Sequence, residues 1–119
     1  MATTHLTKVG TVGIAVTDQD LALEFYVGTL GFEVRRDVEL GPLRWIEVAP
    51  PGAITTVAPV PAEIPAGLRF FTPDADAAHA HLRESGADTD PQVLRMDAAP
   101  PMFAFRDPDG TTHFVVEEA

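Results

Sequence analysis

Residues 17–22 read Thr17-Asp18-Gln19-Asp20-Leu21-Ala22, and the pattern returns 56 positions later as Pro73-Asp74-Ala75-Asp76-Ala77-Ala78. In both copies an aspartate able to cap a helix precedes an acidic first turn. Each predicted helix then runs to a glycine, Gly31 in the first copy and Gly86 in the second, with a one-residue difference in spacing. A pattern repeated at this period, with the same elements around it, indicates a duplicated module.

Each copy lies within the same order of predicted elements, which is one strand, one helix and three strands. Runs rich in Val, Ile, Thr and Phe predict the strands, and Asp109-Gly110 is a hairpin signal between the last two. We therefore expect an α+β chain in which residues 1–119 form a single domain of two tandem βαβββ modules. The first module covers about residues 7–60, a proline-rich connector about 58–67, and the second module about 68–118. The predicted strands are 7–17, 32–40, 43–49, 54–60, 68–72, 92–97, 102–106 and 112–117, and the predicted helices are 18–29 and 75–85.

The composition excludes several kinds of site. The 119 residues contain no cysteine, which excludes disulfides, thiolate metal sites and cysteine nucleophiles. The chain is acidic, because 18 acidic against 8 basic side chains give a formal net charge of −10. We expect such a chain to be repelled by nucleic acid and by anionic membranes. Neither a nucleotide-binding glycine motif nor a Ser-His-Asp order is present.

The sequence also indicates where the protein resides. The longest uncharged stretch, residues 48–62, is too rich in proline to form a bilayer-spanning helix. Residues 1–8 lack the apolar run of a cleaved leader. We therefore expect a cytoplasmic protein that has neither a membrane nor nucleic acid as a partner.

Motifs near both ends of the chain point to a known family. Near the start, the apolar strand of residues 9–18 leads into Phe25-Tyr26 and Leu30-Gly31-Phe32. Near the end, Asp107-Pro108-Asp109-Gly110 precedes another apolar strand. These motifs resemble the opening and closing signatures of the glyoxalase/bleomycin-resistance/dioxygenase (vicinal oxygen chelate) superfamily. The resemblance covers about residues 7–118.

The resemblance implies an incompletely closed, eight-stranded β arrangement in which each βαβββ module curls around a cavity. It also implies a homodimer, and in many members of the superfamily the partner chain completes the cavity. The short length of each module also favours pairing of modules or of chains, because a module of this length leaves apolar surface that it cannot cover alone.

The resemblance also bears on metal binding. Enzymes of this superfamily hold a divalent metal with four side chains, and the resemblance places these positions at Thr11, Glu47, Leu68 and Phe114. A one-residue shift stays open at the third position. Only the Glu47 carboxylate is a good metal ligand among these four side chains. We therefore expect no metal site and no cofactor, with a divalent metal as the open alternative.

The histidines offer little to rebuild such a site. His113 is next to Phe114, but strand alternation places it on the opposite face unless a bulge after Gly110 reverses the assignment. His79 and His81 are two residues apart on a predicted helix, so they cannot share one metal ion.

Glu47 is the candidate with the clearest chemistry. Glu47 alternates along the strand with Ile46 and Val48, so it lies on the same face as Trp45 and Ala49. If that face lines the cavity, Glu47 faces a concave apolar surface. If Ile46 and Val48 face the core instead, Glu47 faces water. On a cavity surface, its carboxylate would bind a cationic ligand or act as a general base. Strand parity by itself leaves both arrangements open.

Our interpretation is a small-molecule-binding protein that sequesters or carries an amphipathic or cationic ligand in a dimer cavity, rather than an enzyme. Aromatic walls with few polar groups suit a flat or amphipathic molecule. The alternative is a lyase, isomerase or dioxygenase that uses a metal or Glu47 as the catalytic base, and a third hypothesis is a protein-docking module. The predicted ligand-binding residues are Thr11, Trp45, Glu47, Leu68, Phe70, Met102 and Phe114, and residues 99–102 are predicted to form a loop over the cavity mouth.

Overall fold

The computed structural model describes residues 4–97 and 99–118. Residues 1–3, part of the segment in which the sequence predicts no leader, lie outside the described residues. The chain divides into two compact units, which we call the first unit (residues 10–66) and the second unit (residues up to 9, and from 67 onward). No helix in the described part of the chain is long and apolar enough to cross a membrane.

The elements of the first unit are β1 (Lys8–Ala15), whose first two residues count with the second unit, helix α1 (Gln19–Leu23), which continues as a π-helical segment (Glu24–Thr29), β2 (Glu33–Leu40), β3 (Leu43–Ala49) and β4 (Thr56–Val60). The four strands lie in the order β2-β3-β4-β1. Strand β1 pairs in parallel with β4, whereas β3 pairs antiparallel with both β2 and β4.

The second unit repeats this pattern. Its elements are β5 (Leu68–Thr72), α2 (Ala75–Glu84), β6 (Asp88–Thr89), β7 (Leu94–Met96), β8 (Ala99–Arg106) and β9 (Thr112–Glu117). Strand β5 pairs in parallel with β9, β9 pairs antiparallel with β8, and β8 pairs antiparallel with both β6 and β7.

The α+β, βαβββ fold predicted from the sequence is confirmed. In both units the first and last strands lie side by side in parallel, and the helix follows the first strand. The number of strands differs from the prediction, because the described residues form nine strands rather than eight. The difference arises in the second unit, where the short strands β6 and β7 both pair with β8 and together take the place that β2 alone occupies in the first unit.

The two helices begin alike and differ in their last turns. Asp18 accepts a hydrogen bond from the amide of Leu21, and Asp74 accepts one from the amide of Ala77, both over 3.1 Å, as N-caps do. The π-helical segment after α1 has wider turns, and the amide of Leu30 donates to the carbonyl of Phe25 five residues earlier. A wider turn takes up one more residue than an α-helical turn, which explains the one-residue difference in spacing between the two copies.

Two local predictions were wrong. Residues 99–102 do not form a loop, because they belong to β8, where Ala99 pairs with Met96 and Met102 with Leu94. Strand β4 starts at Thr56, two residues later than predicted, and Ile54 stays 76% exposed. In both places the strand partner, rather than the local composition, sets the boundary.

Each unit has its own apolar cluster. In the first unit, buried Trp45, Ala58 and Val60 pack with Val38 and Ile64. In the second unit, α2 packs on the sheet through an apolar cluster formed by Ala78, Phe103 and Val115 together with Leu6, Leu82, Val93 and Phe105.

Candidate functional site

Strand β3 is buried on both of its faces, and this decides where Glu47 lies. Ile46 and Val48 are fully buried on one face, while Trp45 and Ala49 are buried on the other. Glu47 alternates with Trp45 and Ala49 and is itself partly buried. The carboxylate therefore lies on a mostly apolar sheet face, which we call the Glu47 face (Thr11, Trp45, Glu47, Ala49, Thr56, Ala58 and Val60).

Both oxygens of the Glu47 carboxylate accept hydrogen bonds. The indole Nε1 of Trp45 donates to Oε2 over 2.6 Å, and the hydroxyl of Thr56 donates to Oε1 over 2.9 Å. Hydrogen bonds to an ionised acceptor are short and roughly twice as strong as neutral ones. They offset the cost of placing a charge on an apolar surface and hold the carboxylate in one orientation.

Behind this carboxylate lies a buried pair of threonines. Thr11 on β1 and Thr56 on β4 are directly opposite each other in the parallel pair, and they are 2% and 6% exposed. Their hydroxyl oxygens are 2.9 Å apart. Thr11, predicted from the sequence as a ligand-binding residue, thus contacts the candidate site through Thr56.

Arg44 on β3 and Arg35 on β2 are both held by hydrogen bonds within the first unit. Arg44 donates two hydrogen bonds to the Asp37 carboxylate, over 2.9 and 2.8 Å, and a third to Asp20 over 2.7 Å. The hydrogen bonds from Arg44 lower the pKa of Asp37, and those to Asp37 and Asp20 raise the pKa of Arg44. Arg35 donates to Glu33 and to two backbone carbonyls.

In the second unit the strand register separates the predicted site residues into two groups. Phe114 pairs with Arg69 on β5 and with Ala104 on β8, and Met102 pairs with Val116. By alternation Met102 and Phe114 therefore share one sheet face with Arg69. The prediction that these two residues lie on one surface agrees with this register.

Leu68 and Phe70 lie on the opposite face, which corrects the expectation that they share a surface with Phe114. Phe70 pairs with Val115, and its ring is 6.0 Å from that of Phe105 and 6.1 Å from that of His113. The residue that shares a face with Phe114 is Arg69, one position after Leu68. From the sequence alone, a shift of one residue stays open at this position. A single-residue shift exchanges the two faces of a strand.

Arg69 forms the centre of a second small cluster. Its guanidinium lies 4.8 Å from the centroid of the Phe114 ring and, through Nη2, 3.6 Å from the sulfur of Met102. A cation placed over an aromatic ring is attracted by the electrons of its face. We call these three side chains the Arg69 cluster.

His113 lies on the other face of β9 from Phe114. Its Nδ1 accepts from the amide of Leu68 over 3.0 Å, and its Nε2 is 3.3 Å from Asp107. Hydrogen bonds from the backbone amide of Thr111, from His113 and from the amide of Asp109 lower the pKa of Asp107. This arrangement joins the β8–β9 turn to the start of β5, so it is structural.

The donor atoms at the four positions that the resemblance assigned to metal ligands do not fit a metal ion. In the first unit, the Thr11 hydroxyl bonds to Thr56, and only Glu47 supplies a carboxylate. In the second unit, the permanent positive charge of Arg69 stands over Phe114, which would repel a second cation. Within residues 4–97 and 99–118, no group of three or more His, Asp or Glu side chains converges.

The sequence interpretation missed two residues of these clusters, Thr56 and Arg69. Thr56 donates a hydrogen bond to Glu47 diagonally across the β3–β4 pair, and only the register of that pair brings the two residues together. Arg69 could have been found from the sequence, because it is the residue next to Leu68 and the sequence allows a shift of one residue there. The predicted residues that the structure brings together are Thr11, Trp45 and Glu47 in the first unit and Met102 and Phe114 in the second.

Comparisons with known proteins agree with this fold. Residues 8–113 match the Glyoxalase/Bleomycin resistance protein/Dioxygenase superfamily, which confirms the resemblance seen in the sequence. A relative over nearly the whole chain is the uncharacterized protein YetH of Bacillus subtilis (strain 168), which is 27% identical over 92% of this chain and 98% of its own length.

Solved structures of similar proteins include both an enzyme and a binding protein. Methylmalonyl-CoA epimerase from Mycobacterium tuberculosis is 25% identical, with a TM-score of 0.82 over 100% of this chain and 93% of its own. TnmS3, an antibiotic binding protein from Streptomyces sp. CB03234, is 32% identical over 96% of this chain and 98% of its own, with a TM-score of 0.46.

Proposed function

Since the chain belongs to the Glyoxalase/Bleomycin resistance protein/Dioxygenase superfamily, we propose that it binds a small amphipathic molecule that carries a positively charged group. The observation that supports this proposal is the Glu47 carboxylate, which is fixed at both oxygens on a sheet face that is apolar apart from Glu47, Thr11 and Thr56. The apolar part of the ligand would contact this face, and its charged group would bind Glu47.

The chemistry of the face favours a cation. An ionised carboxylate offers about four acceptor sites, and the hydrogen bonds from Trp45 and Thr56 use two of them. The indole ring of Trp45 adds an aromatic surface of the kind that attracts cations. The formal net charge of −10 raises the local concentration of cations around the whole protein.

Binding without a resident metal agrees with the donor set. Of the four positions assigned to metal ligands by resemblance, only Glu47 is a strong ligand, whereas a binding protein needs only a surface that complements its ligand. We propose that the protein binds its ligand without a cofactor. We also propose that it acts as a homodimer in the cytoplasm, as expected from the sequence.

Three probes that differ only in their charge test the proposal, namely 4-phenylbutylammonium, 4-phenylbutanol and 4-phenylbutyrate. Trp45 is the single tryptophan of the chain, so quenching of its fluorescence reports contact with the Glu47 face. We expect the ammonium to bind more tightly than the alcohol, and the alcohol more tightly than the carboxylate. In Glu47→Gln the preference of the ammonium over the alcohol should fall by about tenfold, as expected for the loss of one charged hydrogen bond.

A charge-matched control separates local contact from the overall field of the protein. Glu84→Gln removes the same charge from an exposed position at the end of α2 in the second unit, and it should leave the order of the probes unchanged. Equal affinity of the wild-type protein for the ammonium and the alcohol would contradict the proposal. An equal effect of Glu47→Gln and Glu84→Gln would show that Glu47 is not part of the site.

A second candidate function is proton transfer with Glu47 as the base. The similarity to methylmalonyl-CoA epimerase over the whole chain favours it, and a fixed carboxylate on an apolar face suits a general base. The test is incorporation of deuterium from D2O at the carbon next to the thioester of methylmalonyl-CoA. Exchange that Glu47→Gln abolishes, and that Glu84→Gln does not, would establish the enzyme.

A further inference from the structure

The two threonines behind Glu47 are buried more deeply than the carboxylate that they support. Thr11 and Thr56 are, with Thr72, the buried polar side chains among the described residues, and they are 2% and 6% exposed. A hydroxyl removed from water is costly unless it is hydrogen-bonded. The Thr11 and Thr56 hydroxyls bond to each other over 2.9 Å, and the Thr56 hydroxyl bonds to Glu47.

The number of hydrogen atoms on the two hydroxyls fixes which group donates in each of these hydrogen bonds. An ionised carboxylate only accepts, so Thr56 must donate its single hydrogen to Oε1 of Glu47. The hydroxyl of Thr11 must then donate to Thr56. The other acceptor near Thr56 is the carbonyl of Gly10, at the longer distance of 3.4 Å.

We propose that Thr56, supported by Thr11, is a positioning residue that sets the orientation of the Glu47 carboxylate and so determines the preference for a cationic ligand. This inference rests on the proposed function of Glu47. Thr56 holds one oxygen and Trp45 holds the other, so the plane of the carboxylate is fixed and its remaining acceptor sites keep one direction.

Removing the hydroxyls one at a time should have graded effects. Thr56→Val keeps the shape of the side chain but removes the donor to Glu47, and it also leaves the buried Thr11 hydroxyl without its partner. Thr11→Val removes only the second bond of the chain and should have a smaller effect. The double variant should resemble Thr56→Val, because residues in one hydrogen-bond chain are not additive.

The first readout needs no ligand. The indole N–H of Trp45 gives the only tryptophan side-chain signal in a nitrogen–proton NMR spectrum, and its rate of exchange with solvent reports how firmly Glu47 is held. We expect Thr56→Val to speed this exchange by about tenfold relative to the slowest backbone amides, which corresponds to one charge-assisted hydrogen bond. Thr56→Ser restores the hydroxyl and should return the rate to within about twofold of the wild type.

The second readout is the ratio of affinities for 4-phenylbutylammonium and 4-phenylbutanol. This ratio should fall in Thr56→Val, fall less in Thr11→Val and recover in Thr56→Ser. Thr89→Val is the matched control, because Thr89 is a partly buried threonine of the second unit whose Oγ1 atom is buried and has no hydrogen-bond partner among the described residues. It should change neither readout.

The outcomes separate this inference from the proposed function. If Thr56→Val leaves the indole exchange within about twofold of the wild type, the positioning role is wrong, whatever the probes show. If it speeds all slow amides equally, the threonine acts only on global stability, and the inference is again wrong. If the indole exchange responds as expected but the wild type does not prefer the ammonium, Thr56 positions Glu47 and the proposed ligand class is wrong.

Discussion

Trp45 donates its indole hydrogen to Glu47 over 2.6 Å, although the two residues are only two positions apart on the same strand. Side chains at this spacing project from the same sheet face, so the ring and the carboxylate stand side by side. The tryptophan thus has two roles, because it packs with Ala58 and Val60 and also holds an oxygen of the candidate binding group.

Trp45→Phe should therefore lower both stability and ligand preference. We expect a loss of about 1–3 kcal/mol in the free energy of unfolding, from the smaller ring and the lost hydrogen bond. Urea unfolding followed by circular dichroism measures it. The control is Phe25→Leu, because the side chain of Phe25 is 51% exposed. Its free energy of unfolding should stay within about 0.5 kcal/mol of the wild-type value. A similar loss of stability in both variants would contradict the prediction.

Gly67→Ala should destabilise the second unit by about 2 kcal/mol or more, because the added Cβ would collide with the carbonyl oxygen of Thr112. Gly28→Ala is the matched control. It adds the same methyl group inside a helical segment, where no atom beyond the adjacent residues and the backbone of the segment itself lies within 4 Å, and it should be neutral or slightly stabilising. Thermal unfolding of both variants checks the difference, and equal melting temperatures would refute it.

The hydrogen bonds to Asp107 make part of the stability depend on pH. Because they hold its pKa below the usual value, this carboxylate stabilises the folded state above about pH 4, and the contribution is lost as the pH falls further. Asp107→Asn should therefore be less stable than the wild type at pH 7, and the gap should narrow on acidification. Urea midpoints between neutral and acidic pH measure the gap. A gap that stays constant, or one that Asp109→Asn reproduces, would speak against this assignment.

Thr89→Val should leave stability unchanged or raise it by about 1 kcal/mol, because it removes a buried hydroxyl that has no hydrogen-bond partner among the described residues. Thr72→Val makes the same exchange at a buried position whose hydroxyl bonds to the backbone of Asp74, and it should cost about 1 kcal/mol. Chemical denaturation of the two variants should thus give shifts of different sign or size. A clear loss in Thr89→Val would show that its hydroxyl has a partner.

The homodimer predicted from the sequence is testable by light scattering. Several large apolar side chains of the first unit are exposed, among them Leu21 at 63%, Phe25 at 51% and Val34 at 46%. Exposed apolar surface favours association. We expect a mass close to twice 12.8 kDa at micromolar concentration, and a mass of one chain would contradict the prediction.

The elements of the fold were predictable because their signals are local. The aspartates that start both helices, the glycines that end them and Asp109-Gly110 each act within a few residues. Gly31 and Gly86 adopt positive φ angles of 78° and 85°, as their place after a helix predicts. Strand β3 and strand β5 have the bounds expected from their composition.

The candidate site was only partly predictable because it depends on register between distant strands. Strand parity left the facing of Glu47 open, and only the burial of Trp45 and Ala49 places it on an apolar face. Leu68 and Phe70 were placed on the wrong face because the pairing of β5 with β9 involves residues more than 40 positions apart. Thr56 was missed because its contact with Glu47 exists only once β3 and β4 pair.

The close approach of Gly67 to Thr112 has a consequence for how this protein can diverge. No side chain fits at residue 67 while β9 keeps its path, so descendants that retain the fold should retain a glycine there. Glu47 is under no such constraint from the backbone, since exchanging it changes chemistry rather than chain path. Among descendants, Gly67 would thus mark inheritance of the architecture, and Glu47 would mark inheritance of the proposed ligand binding.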